Sequence, residues 1–374
     1  MLSNLQMEGL RIRGLRVRPV LAPMRRPLAT ATGRVLAAPL LLIDLHTDAA
    51  DTPDLTGHSY LFTVSPDHLA PVAALVQAMG RAIAGLPLAP LVVEQWLHQR
   101  YRLLGVHHMV LIAMAGIDMA LWDALGQALG QPLSHLLGGR RQAVRAYNSN
   151  GLGLQSLRDL AAEAESLQKE GFPAIKLRLG YPTLAEDLAA VQRVREVIGP
   201  ETGLMVDYNQ SLTVAEAIRR GQALDDAADL LWMEEPVRAE DFSGCAQVAQ
   251  AVRTPIQLGE NFMGPQHMAQ ALRLRCCDLV MPDVQRIGGI SAWMRAAALA
   301  HAEGIEMSSH LFPEASAALL SVTPTAHWLE YVDWADAVMA EPLHPQNGIL
   351  QSADIPGLGL RWDEDAVQRY RFEA

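Results

Sequence analysis

The chain is poor in cysteine, in positive charge and in long apolar runs, and each shortage removes a class of protein. Its three cysteines are Cys245 and the adjacent pair Cys276–Cys277. Neither a disulfide framework nor a CxxC metal site can be built from them, and a reducing compartment is the expectation. Lys and Arg number 30 against 41 Asp and Glu, a formal net charge of -11. That balance argues against a nucleic-acid or anionic-membrane surface, since both reward basic patches. An anionic small molecule stays open if a few Lys or Arg residues are placed locally to receive it. No run of about 18 uninterrupted apolar residues occurs. The segment Met1–Met7 is polar and lacks the apolar stretch of a secretion signal. We expect a soluble, cytoplasmic protein without membrane or nucleic-acid partners.

What is present is a compact composition with two rhythms. Half of the 374 residues are hydrophobic and 19% are charged, enough for one large domain or two unequal ones. Leu10–Val20 alternates apolar and basic residues as a half-buried strand does. Pro39–Leu45 and His58–Val64 are further strand candidates, and Met24–Ala38, with Pro23, Pro27 and Gly33, reads as a loop between the first two. Helical patterns follow over Asp67–Ile83, Leu91–Leu103 and Met109–Leu129. Strands first and helices after predict a small α+β domain over residues 1–142. From about Arg145, short apolar runs (Ala174–Leu179, Leu204–Val206, Leu230–Met233, Ile256–Leu258, Leu279–Met281, Ile305–Ser308) alternate with longer amphipathic stretches. Such alternation predicts parallel βαβ units in the α/β class, closing into a TIM-type barrel over residues 143–345. Residues 346–374 carry Gly and Pro turns and are expected to pack back on the first domain.

Ionisable residues fall at the ends of these short runs. Lys176 and Arg178 lie in one, Asp207, Glu234 and Glu260 end the next three, Asp283 and His310 follow, and Glu330 closes the series. Neighbours in this series are spaced by about one strand plus one helix. In a parallel barrel, strand ends converge on one face, so these groups meet in one cup. A single acidic residue after a barrel strand is more often a helix N-cap. Three in consecutive units instead suit a hard octahedral cation, Mg²⁺ first and Mn²⁺ as the alternative.

The same residues carry a resemblance. Met205-Val206-Asp207-Tyr208-Asn209-Gln210, Trp232-Met233-Glu234-Glu235-Pro236, Gly259-Glu260-Asn261, Met281-Pro282-Asp283 with Ile287-Gly288-Gly289, Ser308-Ser309-His310-Leu311-Phe312 and His327-Trp328-Leu329-Glu330 are similar to the mandelate racemase subgroup of the enolase superfamily. The likeness extends upstream through Gly116-Ile117-Asp118-Met119-Ala120-Leu121-Trp122-Asp123. It implies an N-terminal α+β capping domain over a modified (β/α)7β barrel. It implies Mg²⁺ on Asp207, Glu234 and Glu260, facing a small-molecule carboxylate whose α-proton is removed through an enediolate. A Lys or His base acting with Mg²⁺ is the known pattern of that superfamily, so this part comes from the resemblance alone. By resemblance His310 is a base oriented by Asp283, Lys176 neutralises the substrate carboxylate, and Ser149 and Asn209 line the substrate site. Glu330, set among apolar neighbours, is expected to have a raised pKa and to donate a hydrogen bond to the intermediate. Relatives are commonly octameric, so a homo-oligomer is also implied.

One residue departs from the pattern. Where mandelate racemase carries Lys-x-Lys, this chain has Lys176-Leu177-Arg178. A guanidinium group stays protonated in proteins and starts with a handicap as a base. Three outcomes remain open: a 2-hydroxy-acid racemase with a poor second base, an acid-sugar dehydratase using His310 alone, and a metal- and carboxylate-binding protein without turnover. The resemblance favours the racemase, and Arg178 weakens it.

Overall fold

The alternating segment at the N-terminus forms a strand that runs well past the point where its pattern fades. In the computed structural model, which describes residues 9–48 and 55–373, β1 spans Ile12–Thr30, β2 Gly33–Thr47 and β3 Thr56–Phe62. They form an antiparallel sheet in that order. Met24–Ala38, expected as a loop, is therefore the far half of a β-hairpin. Its prolines are tolerated because β1 is an edge strand and its register slips between Pro23 and Leu28, where a residue without an N–H forfeits no ladder bond. The hairpin tip reaches the barrel mouth. The Ala29 carbonyl accepts from Leu154 N at 2.8 Å, and a Cβ on Gly153 would stand 2.4 Å from that carbonyl oxygen.

Helices Leu69–Ile83, Pro90–Tyr101 and His108–Leu129 complete the N-terminal part. The third is long and apolar enough to cross a membrane by length and composition, yet 72% of its most apolar window is buried inside the protein. It is a core helix, stopped at Gly130 in the left-handed conformation (φ 65). It lies tightly on β3, where a Cβ on Gly57 would fall 2.0 Å from the Ala120 carbonyl oxygen.

The second rhythm produces parallel strands β4 (Ala143–Asn148), β5 (Ala174–Arg178), β6 (Gly203–Asp207), β7 (Met233–Glu234), β8 (Ile256–Leu258), β9 (Leu279–Val280) and β10 (Leu329–Tyr331). They neighbour one another in chain order, with β10 returning beside β4. The run expected as the seventh strand, Ile305–Ser308, is held by single bridges: Met307 pairs with Val280 on one side and Ala326 on the other. Ser308 N donates to Val280 O and Met307 N to Thr325 O, each at 2.8 Å. The segment thus fills its place in the ring without being long enough for a ladder. Beneath the strand ends, buried Tyr147, Ala174, Met205, Trp232 and Trp328 fill the barrel with apolar bulk.

The C-terminal segment touches both parts. β11 (Ile349–Gln351) pairs antiparallel with Ala143–Arg145 of β4. Further on, Tyr370 O accepts from Leu21 N, and Phe372 N donates to Pro19 O, both 2.9 Å. A second tie fixes the cap over the mouth. The Gln285 amide accepts from Phe62 N (3.0 Å) and donates to Phe62 O (3.1 Å), extending the end of β3 onto the barrel. Because Gly57 leaves no room for a methyl group, we predict that Gly57→Ala lowers stability by about 1–3 kcal/mol through overpacking. Urea denaturation checks this, and an unchanged midpoint would show that the helix can move away freely.

Candidate active site

Strand register brings the charged residues together. Side chains two apart on a strand share a face, so Lys176 and Arg178 both project into the barrel while Leu177 packs outward. In register, Arg178 pairs with Asp207, and Asp207 with Glu234. Glu260 enters the same space after Gly259, whose φ of +143 and close approach to the Met281 backbone exclude a side chain. Ligand atoms of Asp207, Glu234 and Glu260 all lie within 4.8 Å of one another. Lys176 Nζ lies 2.7 Å from Glu234 Oε1, 2.7 Å from Glu330 Oε1 and 3.5 Å from Asp207 Oδ2. It also stands 5.8 Å above the Tyr147 ring, at the boundary with the apolar floor.

Burial disfavours a charge on Lys176, but Glu234, Glu330 and Asp207 outweigh it and push its pKa upward. Burial raises Glu234 to about 8 against the pull of Lys176, with Asp207, Glu330 and Glu260 adding to the rise. Glu330 departs from its expected state. Burial pushes it up, yet Lys176 and His310 hold it well below the usual carboxylate range, as do hydrogen bonds from Lys176 and Ser149. Ser149 Oγ donates to Glu330 Oε1 at 2.7 Å and Leu311 N to Glu330 Oε2 at 3.0 Å. Glu330 is an ionised acceptor here, not a proton donor, because its neighbours are donors and not the apolar residues adjacent in sequence.

His310 and Asp283 meet as expected. His310 Nδ1 lies 2.7 Å from Asp283 Oδ2, while Nε2 lies 3.4 Å from Glu260 Oε2 and 3.6 Å from Glu330 Oε2. Asp283 also caps the short helix Val284–Ile287, its Oδ1 accepting from Gln285 N and Arg286 N at 2.8 and 3.1 Å. The cap fixes one oxygen and leaves the other for the imidazole. Burial lowers the His310 pKa, but Glu260, Glu330 and the Asp283 hydrogen bond raise it to about 10.

Arg178 is anchored away from the carboxylates. Its Nη1 donates to Ser149 O (2.7 Å) and Gly151 O (2.9 Å), and its Nη2 to Ser149 Oγ (2.7 Å). Asn209 holds Asp207 through its backbone N (2.8 Å to Oδ1) and its amide (2.9 Å to Oδ2). A cavity of about 510 Å³ opens above these groups. Its wall includes Lys176, Arg178, Asn209, Glu260, His310 and Glu330, under the hairpin residues Leu28, Thr30, Thr32 and Val35. Ser149, expected to line the substrate space, is instead buried behind Arg178 and Glu330. Of the hairpin arginines, Arg26 is paired with Glu170 at 2.6 Å and Arg25 stands 3.7 Å from Asp333.

Three residues of consequence are not singled out by the sequence. Buried Glu235 accepts from the Asn261 amide at 2.7 Å, and Arg286 donates to Asn261 Oδ1. Glu235 and Asn261 directly follow the metal-ligand candidates Glu234 and Glu260 and lie within the motifs that carry the resemblance, but nothing there assigns them a role of their own. Nothing local marks Arg286.

The donor set fits a divalent cation. Asp207, Glu234 and Glu260 each bring a carboxylate oxygen within 4.8 Å of the others. Oxygen donors of this kind suit Mg²⁺, and no cysteine or histidine belongs to the cluster. A barrel with such a cup of oxygen donors at its strand ends is the architecture of a metal-dependent enzyme. Residues 12–138 match the mandelate racemase/muconate lactonizing enzyme N-terminal domain, and residues 159–366 the enolase C-terminal domain-like family. The chain belongs to this branch of the enolase superfamily.

It is 36% identical over 263 residues to L-talarate/galactarate dehydratase of Salmonella typhimurium, covering 70% of this chain and 66% of that protein. An enolase from the alpha proteobacterium bal199, with bound magnesium, is 44% identical with a TM-score of 0.93, over 97% of this chain and 100% of the other. A Bradyrhizobium enolase complexed with magnesium and mandelic acid is 43% identical with a TM-score of 0.91, over 97% and 99% of the two chains.

The His310 environment yields a prediction for chelator-treated protein. Its pKa is raised from an ordinary 6.5, so the stability it contributes is complete below pH 6.5 and is lost as pH rises toward 10. NMR titration of the imidazole should show a midpoint near 10, moved down by Asp283→Asn. A wild-type midpoint below 6.5 would contradict this geometry.

Proposed function

We propose that this protein is a magnesium-dependent enzyme that removes the α-proton of a 2-hydroxy carboxylate and then expels water from a polyhydroxylated acid. The observation that carries the dehydration is the engagement of Arg178 by Ser149 and Gly151. A racemase needs a base on each side of the α-carbon. Here His310, held by Asp283, has a base's chemistry, while Arg178 spends its terminal nitrogens on the loop after β4.

Asp207, Glu234 and Glu260 would hold Mg²⁺, which when bound supplies a Lewis acid for the substrate carboxylate and offsets the second negative charge that forms on it. Neutralising Glu260 in this way also removes the largest pull raising His310, leaving Nε2 better able to accept a proton. His310 Nε2 takes the α-proton, and Asp283 supports the resulting imidazolium. Lys176, kept cationic among the carboxylates, faces the charge developing on the substrate. The electron pair left at the α-carbon then forms a carbon–carbon double bond as the β-carbon–oxygen bond breaks. His310 returns its proton to the departing hydroxyl, water leaves, and the enol becomes a 2-keto-3-deoxy acid. One imidazole serves both transfers.

The likeness to L-talarate/galactarate dehydratase supports this chemistry. So do Thr30, Thr32 and Gln210, which offer hydroxyl partners along the cavity. A second reading, racemisation of an aryl 2-hydroxy acid, is favoured by the apolar wall of Leu28, Val35, Phe62 and Trp334. The mandelic acid complex of the Bradyrhizobium relative points the same way. A binding protein without turnover has no use for the Asp283–His310 pair.

The test is incubation of aldonic, aldaric and aryl 2-hydroxy acids with the Mg²⁺-loaded protein, followed by product NMR. We expect a 2-keto-3-deoxy acid from at least one polyhydroxylated substrate, with His310→Asn slower by about 10²–10⁴-fold. Inversion at the α-carbon without loss of water would replace dehydration by racemisation.

A further inference from the structure

A chain of hydrogen bonds outside the catalytic groups joins the metal-binding carboxylates to the base. Asn261 Nδ2 donates to Glu235 Oε1 at 2.7 Å and lies 3.2 Å from Glu260 Oε1. Its Oδ1 accepts from Arg286 Nη1. The backbone N of Arg286 in turn donates to Asp283 Oδ1 at 3.1 Å, and Asp283 Oδ2 lies 2.7 Å from His310 Nδ1. The path runs from a metal ligand, through one amide and one arginine, to the carboxylate that orients the base.

An amide side chain has one acceptor end and one donor end, related by a half-turn. A guanidinium can only donate, so Arg286 at the Asn261 oxygen excludes the flipped amide. The flipped state would point the oxygen at Glu235 and Glu260, setting acceptor against acceptor. Arg286 thereby compels the Asn261 NH2 group toward the two carboxylates. Glu260 is the ligand whose position matters most to the base, because its Oε2 lies 3.4 Å from His310 Nε2.

We propose that Arg286 and Asn261 act as one positioning unit that fixes Glu260 relative to His310 and couples metal affinity to alignment of the base. The inference rests on the assignment of Asp207, Glu234 and Glu260 to a metal. It gives neither residue a step in the reaction. Supports behind metal ligands of this kind typically change affinity or activity by about 10–100-fold when removed.

The experiment is a double-mutant cycle on the full chain, using Mn²⁺ as the probe. Binding is followed by the EPR signal of free Mn²⁺ without substrate, beside kcat and KM with Mg²⁺ on whichever acid is turned over. Circular dichroism confirms that each variant is folded, and Arg286→Lys, which keeps a donor, serves as the conservative partner. We expect Asn261→Ala and Arg286→Met each to weaken Mn²⁺ binding by about 10-fold and to lower kcat more than they change KM. The double variant should be no weaker than about the worse single one, because both changes remove the same bond. Arg286→Lys should recover part of the affinity.

Fully additive losses, or unchanged Mn²⁺ affinity in both single variants, would overturn the unit. A rise in KM alone on Arg286→Met would make Arg286 a substrate contact instead and equally overturn it. Failure of the wild type to bind Mn²⁺ would overturn the metal assignment and this inference with it, whereas normal wild-type binding with unaffected variants would overturn only the inference.

Discussion

Lys176 extends from the middle of β5 into a layer of carboxylates sealed above a floor of Tyr147, Trp232 and Trp328. Removing such charges from water is expensive, and their mutual attraction repays it only when geometry and hydrogen bonding are both good. Here Glu234 is held at both oxygens, by Lys176 at 2.7 Å and Trp232 Nε1 at 3.2 Å. Glu330 accepts from Lys176, Ser149 and Leu311. The surrounding barrel over-determines these positions. The rest of the mouth is arranged around this buried carboxylate layer, whose oxygen donors suit a divalent cation.

Backbone strain gathers at the same level. Asn209 and Gln210 after Asp207, Glu235 after Glu234, and Leu311 and Phe312 after His310 all adopt positive φ, between 39 and 66. Side chains other than glycine resist that conformation, so it persists only where packing and hydrogen bonds enforce it. At each of these strand ends the turn sends the chain sideways and leaves the preceding functional side chain aimed into the cup. Gly259 achieves the same for Glu260 by close approach to Met281. The apolar floor contributes stability, while the strained rim contributes geometry.

Much of this is legible from residue order. The acidic series Asp207, Glu234 and Glu260 and the Asp283–His310 pair can be placed because a parallel barrel converts a regular spacing into proximity. The helix-forming stretches can be found because apolar periodicity survives in one dimension. Three features resist for physical reasons. The Met24–Ala38 hairpin is hidden by prolines that only an edge strand with a register slip can absorb. The ionised state of Glu330 is set by Lys176 and Ser149, distant in sequence, and not by Trp328 and Leu329 beside it. Arg286 is invisible because its importance lies in one long-range bond to Asn261.

Arg178 is where fold and chemistry separate. Its position on β5 follows the pattern that elsewhere supplies a base, but its nitrogens are given to the loop carrying Ser149 and Gly151. In the proposed reaction the metal cup would account for formation of the intermediate, and the groups around it would govern what the intermediate becomes. The most direct measurement of the central claim is solvent deuterium incorporation at the α-carbon of 2-hydroxy acids, with and without a chelator. We predict Mg²⁺-dependent incorporation, or its appearance in the product, for at least one acid. Complete retention of the α-hydrogen across aryl, aliphatic and sugar acids, in folded and metal-loaded protein, would contradict it.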